Sequence, residues 1–475
     1  MSRPPLLVSS SSPRKAEGMV WMRKMIRAVT VVMMVGTVGA CQGGGSANGS
    51  YRHTPSREAE TSAAVPRLTV PDGFDVAKGW ALPSGSRVKT AVAPTTQLVI
   101  ISAKEPNGYV LTAKDARTGA VRWSTQPWWP FESVRDEAPE PQVVTVGGKD
   151  YATISIAGRP GEDSVHKGQP TIQTAVYPAD ASGTGVRPAR TMDLPVSAIG
   201  QTRLPWVSGT RLIYHEEGTG SATVLPVSMD VVSGKVTRYT QSIYDAPAPS
   251  VCGSCHLGGH QPGLTPQGPL IQGMQGPQTT SFWVPGAWYG ADNMPPGAFA
   301  GSTAEDLQIV DDLIIAGWPA DDDTAFTSRP NRVWAVHDAT TGKVKASVTC
   351  ATDSPAGTNA RDPFHPAVDA DHRYLVYGPL AFDLAGGRGT CAIGSSTTKD
   401  AAFVSVDRNG TAYGHTTTQG GEQAPVTLAI ASGNVTALPS GTKIPTVLLN
   451  GAAVYIASDE DDDEAPYKVV SYPRR

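Results

Sequence analysis

The chain has 475 residues, enough for one large repeat domain or two ordinary domains. Its 39 Lys and Arg residues, set against 43 Asp and Glu, form no basic stripe, so nucleic acid is excluded as an expected partner. With 50 Gly and 40 Pro, the composition favours many short strands joined by turns and argues against long helices.

The N-terminal segment has the order of features that is typical of an export signal. A basic cluster lies at residues 23–27, an apolar run follows over residues 28–38, and small residues precede Cys41. The run is too short to span a bilayer as a helix, because spanning takes about 20 residues. We therefore expect residues 1–40 to be a cleaved signal peptide, with translation starting at Met1 or at one of two later methionines, Met22 and Met25.

The cut site resembles a bacterial lipobox, in which small residues directly precede a cysteine that becomes lipidated. This resemblance implies a lipid on Cys41, a disordered tether over residues 41–66, and a location at the extracellular face of the cell membrane. The membrane is then a partner through the lipid anchor. An ordinary cleaved signal with an incidental cysteine is the alternative.

A strand-and-turn pattern recurs over residues 67–475. In its first copy, strands at 98–102 and 109–113 lead into a turn from Asp115 to Gly119, and Trp123 follows. The Asp side chain can accept hydrogen bonds from the turn amides, and the Gly tolerates a positive φ. Further copies of this turn lie at Asp230 with Gly234, Asp338 with Gly342, and Asp383.

Strand-only repeats of about 40–55 residues predict a β-propeller, in which each repeat is one four-stranded blade. We expect an all-β fold with seven or eight blades, interrupted by a Gly/Pro-rich insertion at about 245–305. A pair of β-sandwiches is the alternative, although sandwiches have no recurring turn motif.

The copy at residues 113–123 reads Ala-Lys-Asp-Ala-Arg-Thr-Gly-Ala-Val-Arg-Trp. It resembles the tryptophan-docking motif of propellers related to pyrroloquinoline-quinone dehydrogenases, in which the Trp packs between blades. Two later copies have Arg238 and Ala346 where the Trp would fall. The family usually places two adjacent cysteines beside the quinone, and this sequence has none. The resemblance therefore implies the fold and leaves quinone binding in doubt.

Four cysteines remain besides Cys41, and an even number in an exported protein indicates disulfides. Of the three pairings that four cysteines allow, we favour Cys252–Cys255 and Cys350–Cys391, the second of which would join neighbouring repeats.

The residues Cys252, Cys255, His256 and His260 permit two further interpretations. C-x-x-C-H is the attachment sequence of c-type haem, and the same cysteines with both histidines offer ligands for zinc or copper. A small disulfide-closed loop is the first expectation, so we expect no cofactor, with haem c or a metal ion as the alternatives.

An aromatic group lies within the long Gly/Pro-rich stretch 258–301, at Phe282, Trp283, Trp288 and Tyr289. Loops of this length are usually functional or disordered, and exposed aromatics there would bind a partner. Alternatively, residues 281–284 form a buried strand of an extra blade.

No catalytic motif is recognisable in the sequence. The acidic runs at 321–323 and 459–464 lack the spacing of a calcium loop and are expected to be solvated turns. His365 and His372, near Asp362, Asp369 and Asp371, are expected to form a turn cluster.

These observations predict a monomeric, non-enzymatic surface lipoprotein that binds a protein or small ligand through its loops and channel. The alternatives are an exported redox protein that uses pyrroloquinoline quinone or c-type haem, and an envelope-assembly scaffold. The Gly-, Ala- and Pro-rich composition resembles that of actinobacterial proteins.

Overall fold

A computed structural model describes most of the chain from residue 65 to residue 475. The described ranges are 65–84, 88–131, 138–197, 204–216, 225–240, 256–257, 263–275, 278–299, 304–321, 331–352, 354–356, 364–417, 423–457 and 467–475. Cys41 and the predicted signal and tether up to residue 64 lie outside them. In the described ranges the regular structure is β-strand, apart from one 3-10 turn at Gly290–Asn293, so the all-β prediction is confirmed. No helix in these ranges has the length and apolar character that a bilayer crossing needs.

The described ranges up to residue 289 contain nineteen strands. In order they are β1 (Trp80–Pro83), β2 (Val88–Ala93), β3 (Leu98–Glu105), β4 (Gly108–Asp115), β5 (Val121–Thr125), β6 (Gln142–Val146), β7 (Lys149–Gly158), β8 (Thr171–Pro178), β9 (Gly183–Val186), β10 (Arg190–Pro195), β11 (Trp206–Ser208), β12 (Arg211–Glu216), β13 (Leu225–Met229), β14 (Val236–Arg238), β15 (His256–Leu257), β16 (Gly263–Thr265), β17 (Gly268–Gln275), β18 (Gln278–Val284) and β19 (Trp288–Tyr289).

The described ranges from residue 305 onwards contain fifteen further strands. They are β20 (Glu305–Val310), β21 (Leu313–Pro319), β22 (Arg332–Asp338), β23 (Val344–Cys350), β24 (Ala367–Val368), β25 (Tyr374–Tyr377), β26 (Leu380–Asp383), β27 (Arg388–Cys391), β28 (Asp400–Val406), β29 (Thr411–Thr417), β30 (Pro425–Ala429), β31 (Asn434–Ala437), β32 (Val447–Leu448), β33 (Ala452–Ile456) and β34 (Tyr467–Pro473).

The described strands form seven hydrogen-bonded sheets, which we number in chain order. Sheet 1 contains β2–β5 with β9, sheet 2 contains β6, β7, β8 and β10, sheet 3 contains β11–β14, sheet 4 contains β15–β19, sheet 5 contains β20–β27, sheet 6 contains β28–β31, and sheet 7 contains β32–β34 with β1. Six of these have four or five strands, the size of one blade. Six single-blade sheets are fewer than the predicted seven or eight blades, and the difference lies in sheet 5.

Sheet 5 has eight strands because two antiparallel halves meet in it. The first half is β20–β23 and the second half is β24–β27, and a single parallel pairing between Ser347 and Arg388 joins them. A disulfide also crosses this junction, since Cys350 at the end of β23 is bonded to Cys391 at the end of β27, with 5.5 Å between their Cα atoms. The predicted Cys350–Cys391 pairing is confirmed.

The repeated Asp-x-x-x-Gly turns connect the third and fourth strands of their sheets. In sheet 1 the Asp115 carboxylate accepts hydrogen bonds from the amides of Arg117 (3.1 Å) and Thr118 (2.9 Å). Gly119 has a φ of +71°, a left-handed conformation that favours glycine. Asp230 and Asp338 accept the equivalent bonds in their own turns, so this local sequence is sufficient to form the turn.

Tryptophans of the fourth strand lie against the turn of the following sheet. The Trp123 indole, fully buried, donates a hydrogen bond from Nε1 to the Ala179 carbonyl of sheet 2 at 2.8 Å. Trp80 of β1 donates in the same way to Ala116 at 2.9 Å, and Trp288 of β19 to Ala339 at 3.2 Å. Each indole therefore combines apolar contact with a directed bond between sheets.

Apolar clusters lie between successive sheets. Trp123 of sheet 1 packs with Tyr177 of sheet 2, and similar clusters join sheets 2 and 3, sheets 4 and 5, the halves of sheet 5, sheets 5 and 6, and sheets 6 and 7. Between sheets 3 and 4 the Leu264 amide donates to Ser208 Oγ at 2.9 Å. Sheet 7 packs on sheet 1 through a cluster that includes Val454 and Val99. The arrangement is therefore propeller-like.

The two ends of the described chain meet in sheet 7. Strand β1 pairs with β34 in antiparallel register, so that Trp80 lies opposite Ser471 and Ala81 lies opposite Val470. A sheet whose outer strand comes from the beginning of the chain holds the ring closed with main-chain hydrogen bonds and leaves fewer strand edges exposed.

The Gly/Pro-rich insertion predicted at about 245–305 contains sheet 4. This segment is therefore a sheet and not a long loop. Its glycines let neighbouring groups approach closely, as at Gly290, where an added Cβ would lie 2.8 Å from the Phe282 ring. Low β-propensity therefore hid strands that tertiary packing stabilises.

Candidate binding surfaces

The connections between strands differ at the two ends of the ring. Because the strands of each sheet alternate in direction, the first-to-second and third-to-fourth connections emerge at one end, which we call the turn end. The second-to-third connections and those between sheets emerge at the other, which we call the loop end. Most connections at the turn end are short, as at 147–148 and 311–312, although 179–189 includes β9. Those at the loop end include the longer described segments 159–170, 392–399 and 438–446. Long connections on a rigid scaffold are where binding residues concentrate.

Exposed apolar side chains accompany the long connections. Trp129, Val165 and Phe299 lie on described parts of loop-end connections and are 40%, 82% and 55% exposed. The Trp129 ring stacks on Tyr109, with 6.1 Å between the ring centroids. The remaining large exposed apolar side chains of the described ranges lie elsewhere. Val121 and Val435 lie on the fourth strands β5 and β31, and Val232 lies on a turn-end connection.

At the turn end, three titratable side chains meet across the two halves of sheet 5. Asp311 and Asp312 form the connection between β20 and β21, and His372 lies between β24 and β25. His372 Nδ1 is 3.6 Å from Asp312 Oδ1, and His372 Nε2 is 3.7 Å from Asp311 Oδ2. Its interaction with the Asp312 carboxylate raises the pKa of His372 above the usual value.

The two carboxyls of this group are shifted in opposite directions. The interaction with His372 lowers the pKa of Asp312, whereas burial raises the pKa of Asp311. Asp150 of sheet 2 adds to the increase at Asp311 through like-charge repulsion. Asp150 is itself buried and accepts hydrogen bonds from the Thr96 amide and hydroxyl at 2.8 and 3.1 Å.

The backbone that carries the His372 group has unusual conformations. Asp311 and His372 have φ values of +49° and +53°, and they are two of only four described non-glycine residues with positive φ. Asp369, which is buried, holds the His372 connection by accepting hydrogen bonds from the amides of Asp371 (3.0 Å), Arg373 (2.7 Å) and Tyr374. Such conformations cost free energy and persist only where surrounding bonds impose them.

The aromatic group predicted as a binding surface is largely interior. Phe282, Trp283 and Trp288 are 0%, 3% and 7% exposed, and they lie on β18 and β19. Tyr289 is half-buried on β19. An exposed binding surface therefore does not describe these residues, and the alternative of a buried strand at 281–284 matches β18.

The C-x-x-C-H motif lies almost wholly outside the described residues. Cys252, Cys255 and His260 are not among them, and of His256 the structure gives the backbone only, which pairs with Met274 across β15 and β17. Within the described ranges no group of three or more His, Cys, Asp or Glu side chains could hold a metal ion. The disulfide, metal and haem interpretations of this motif all remain predictions.

Two of the docking tryptophans, and two of the three side chains of the His372 group, were not predicted from the sequence. The docking roles of Trp80 and Trp288 were not predicted, because the complete turn motif does not precede either residue. At the positions aligned with Trp123, Arg238 donates to the Pro195 carbonyl at 2.6 Å and Ala346 is buried. Asp311 and Asp312 are 61 and 60 residues from His372, and only the packing of the two halves of sheet 5 brings them together.

Comparisons with known proteins identify no family for this chain. No family model matches it, and no curated protein matches it. Solved structures with a similar arrangement include an uncharacterized protein, lmo1340, from Listeria monocytogenes (8% identity, 84% of this chain, 91% of that chain, TM-score 0.32). Others are dipeptidyl peptidase 4 from Porphyromonas gingivalis (9%, 79% of this chain, 55% of that chain, TM-score 0.35) and the WD40 domain of Toxoplasma gondii coronin (11%, 87% and 100%, TM-score 0.29).

With TM-scores below 0.5 and identities near one residue in ten, these likenesses carry no argument about activity. The fold assignment rests on the sheet pairing of the chain itself.

Proposed function

We propose that this protein is a non-enzymatic, surface-anchored β-propeller lipoprotein that binds a protein or small ligand through its loop end. The observation that carries the proposal is the difference between the two ends of the ring. Tight turns close one end, whereas the other combines the long connections with the exposed side chains of Trp129, Val165 and Phe299. Binding residues concentrate on the long connections of a rigid scaffold.

We further propose that the ring has eight blades of the tryptophan-docking type. Each half of sheet 5 has the four antiparallel strands of one blade, which would add two blades to the six single-blade sheets. The hydrogen bonds from Trp80, Trp123 and Trp288 to the turn of the next sheet support the docking type. This geometry concerns the scaffold alone.

The lipid on Cys41 is tested by membrane extraction of the full-length protein. We expect the parent protein to partition into the detergent phase, and Cys41→Ser to move to the soluble fraction, because an acyl anchor contributes about 0.8 kcal/mol per buried CH₂ group. Mass spectrometry of the mature N-terminus should show a modified Cys41. A Cys41→Ser variant that stays membrane-bound would remove the anchor from the proposal.

The binding surface is tested with matched variants at exposed apolar positions. Crosslinking on intact cells identifies the captured partner, and its affinity is then compared between Trp129→Ala and Val435→Ala. Both residues are similarly exposed, at 40% and 46%, but Val435 lies on the outer strand β31. An interface anchor costs about 2 kcal/mol or more on truncation, roughly a 30-fold loss of affinity, so the loss should appear only in Trp129→Ala. Equal losses would contradict the loop end as the site.

A visible absorption spectrum distinguishes the redox alternative. C-x-x-C-H at residues 252–256 is the attachment sequence of c-type haem, which absorbs visible light. The non-enzymatic proposal expects no haem absorption from protein purified with its native maturation system. A Soret band that disappears in the Cys252→Ala/Cys255→Ala variant would replace it with the redox function.

A further inference from the structure

We propose that His372 forms a pH-dependent ionic contact between the two halves of sheet 5, which holds the turn end of the ring together when the imidazole is protonated and releases it when the proton is lost. This inference concerns regulation of the ring and does not depend on which ligand the loop end binds. It rests on the position of one imidazole between two carboxylates of the neighbouring half of the sheet.

The geometry requires a charged imidazole for both contacts. Nδ1 of His372 faces Asp312 at 3.6 Å, and Nε2 faces Asp311 at 3.7 Å. Both separations are longer than a hydrogen bond, so what holds the ring between the two carboxylates is the attraction between the imidazolium and their negative charges. Loss of the proton therefore removes this attraction on both sides of the ring.

The carboxylates around His372 favour the protonated form, and burial opposes it. Asp311 and Asp312 face it from the connection between β20 and β21, and Asp369 faces it from its own connection. Lys345 acts on Asp312, and Asp150 of sheet 2 acts on Asp311. The pKa of His372 is raised, so the contact is present at mildly acidic pH and is lost as pH rises through that value.

The disulfide confines this change to one end of the sheet junction. The Cys350–Cys391 disulfide joins β23 and β27, the fourth strands of the two halves, where each strand runs into a loop-end connection. The His372 contact joins the turn-end connections of the same two halves. The turn-end contact contains no covalent bond, so a change in pH can loosen the turn end while the loop end stays tied.

The titration of His372 is the first test, measured by NMR on the full chain with ¹³C-labelled histidine. His372→Gln identifies the resonance among those of the nine histidines. We expect Asp312→Asn and Asp311→Asn each to lower the proton affinity of His372 by about 2- to 5-fold, the range of partly exposed ion pairs. The control is His166→Gln, because His166 contacts Asp163 at 2.9 Å within a single loop-end connection. His166→Gln should leave the His372 titration unchanged.

Hydrogen exchange is the second test, because it reports on the junction. We expect protection of the Leu313 and Tyr374 amides to fall about 2- to 5-fold between pH 5.5 and 8, after correction for intrinsic rates, in the parent and in His166→Gln. In His372→Gln the protection should be low at both pH values. An unchanged His372 titration in both Asp variants, or parent protection that does not depend on pH, would overturn the proposal.

Discussion

Acid should destabilise this protein through His337, a histidine that is fully buried between sheets 4 and 5. Its ring is 0% exposed, and Nδ1 lies 2.9 Å from the Gly342 carbonyl. The Trp318 indole donates towards Nε2 at 3.4 Å, which fixes the imidazole in the neutral form with its proton on Nδ1. The Phe282 ring packs edge-on against the imidazole, with 5.5 Å between centroids.

Burial lowers the pKa of His337 from 6.5 to about 4 in the folded protein. Below pH 6.5 the unfolded chain takes up a proton at this residue that the folded protein does not bind until pH approaches 4. Stability is therefore lost as pH falls through this window and is unaffected by this group above it. At about 1.4 kcal/mol per pH unit, this difference corresponds to roughly 3 kcal/mol, most of which is lost by pH 4.5.

The assay is equilibrium urea unfolding of the parent, His337→Gln and His166→Gln proteins at pH 7.5 and pH 4.5. His337→Gln should be less stable than the parent at pH 7.5, because it repacks a buried site, but its further loss at pH 4.5 should be smaller by roughly 2–3 kcal/mol. His166→Gln removes an exposed histidine and should retain the parental loss. If His337→Gln lost as much stability in acid as the parent, the assignment of a buried neutral imidazole would be refuted.

Three further predictions concern the contacts between sheets. Gly342→Ala should lower the free energy of unfolding by well over 1 kcal/mol, because the φ of Gly342 is +73° and the new Cβ would lie 2.6 Å from the Trp288 ring. The control is Gly147→Ala, at φ +58°, where the new Cβ has open space and only the cost of the backbone conformation remains. Thermal unfolding of both variants gives the comparison, and equal losses would contradict a packing role for Gly342. Removing the disulfide with Cys350→Ser/Cys391→Ser should cost roughly 4 kcal/mol for a loop of 41 residues in the chain-entropy model, measured by urea unfolding, and a loss below about 1 kcal/mol would contradict it. Trp123→Phe keeps most apolar contact but loses the bond to Ala179, so chemical denaturation should show a loss of about 1–3 kcal/mol, and no loss would mean that this bond contributes nothing.

The tight turns could be predicted from the sequence, because the hydrogen bonds that form them join residues close together in the chain. The turns at Asp115, Asp230 and Asp338 could be predicted because each carboxylate bonds to amides two and three residues further on. An all-β, propeller-like arrangement followed from their recurrence between strands, and the pairing of Cys350 with Cys391 followed from their positions in neighbouring repeats.

Features that depend on packing between sheets could not be predicted in the same way. The strands of sheet 4 are rich in Gly and Pro, and only neighbours such as Ser208, which approaches Gly263, explain why glycine is required there. Trp288 was interpreted as an exposed aromatic because nothing local shows that Ala339 of the next sheet accepts its indole hydrogen bond. The same limit hid the contact of His372 with Asp311, since the two residues belong to separate repeats.

The most direct test of the closed ring is a designed disulfide between the two ends of the described chain. Ala81 on β1 and Val470 on β34 face each other in register, so the Ala81→Cys/Val470→Cys protein should form this bond during export, and mass spectrometry should recover the linked peptides. In the control, Ala81→Cys/Val447→Cys, the second cysteine lies on β32 at the opposite edge of sheet 7 and should remain unlinked to the first. An unlinked Ala81→Cys/Val470→Cys protein that is otherwise folded would contradict closure of the ring by its N-terminal strand.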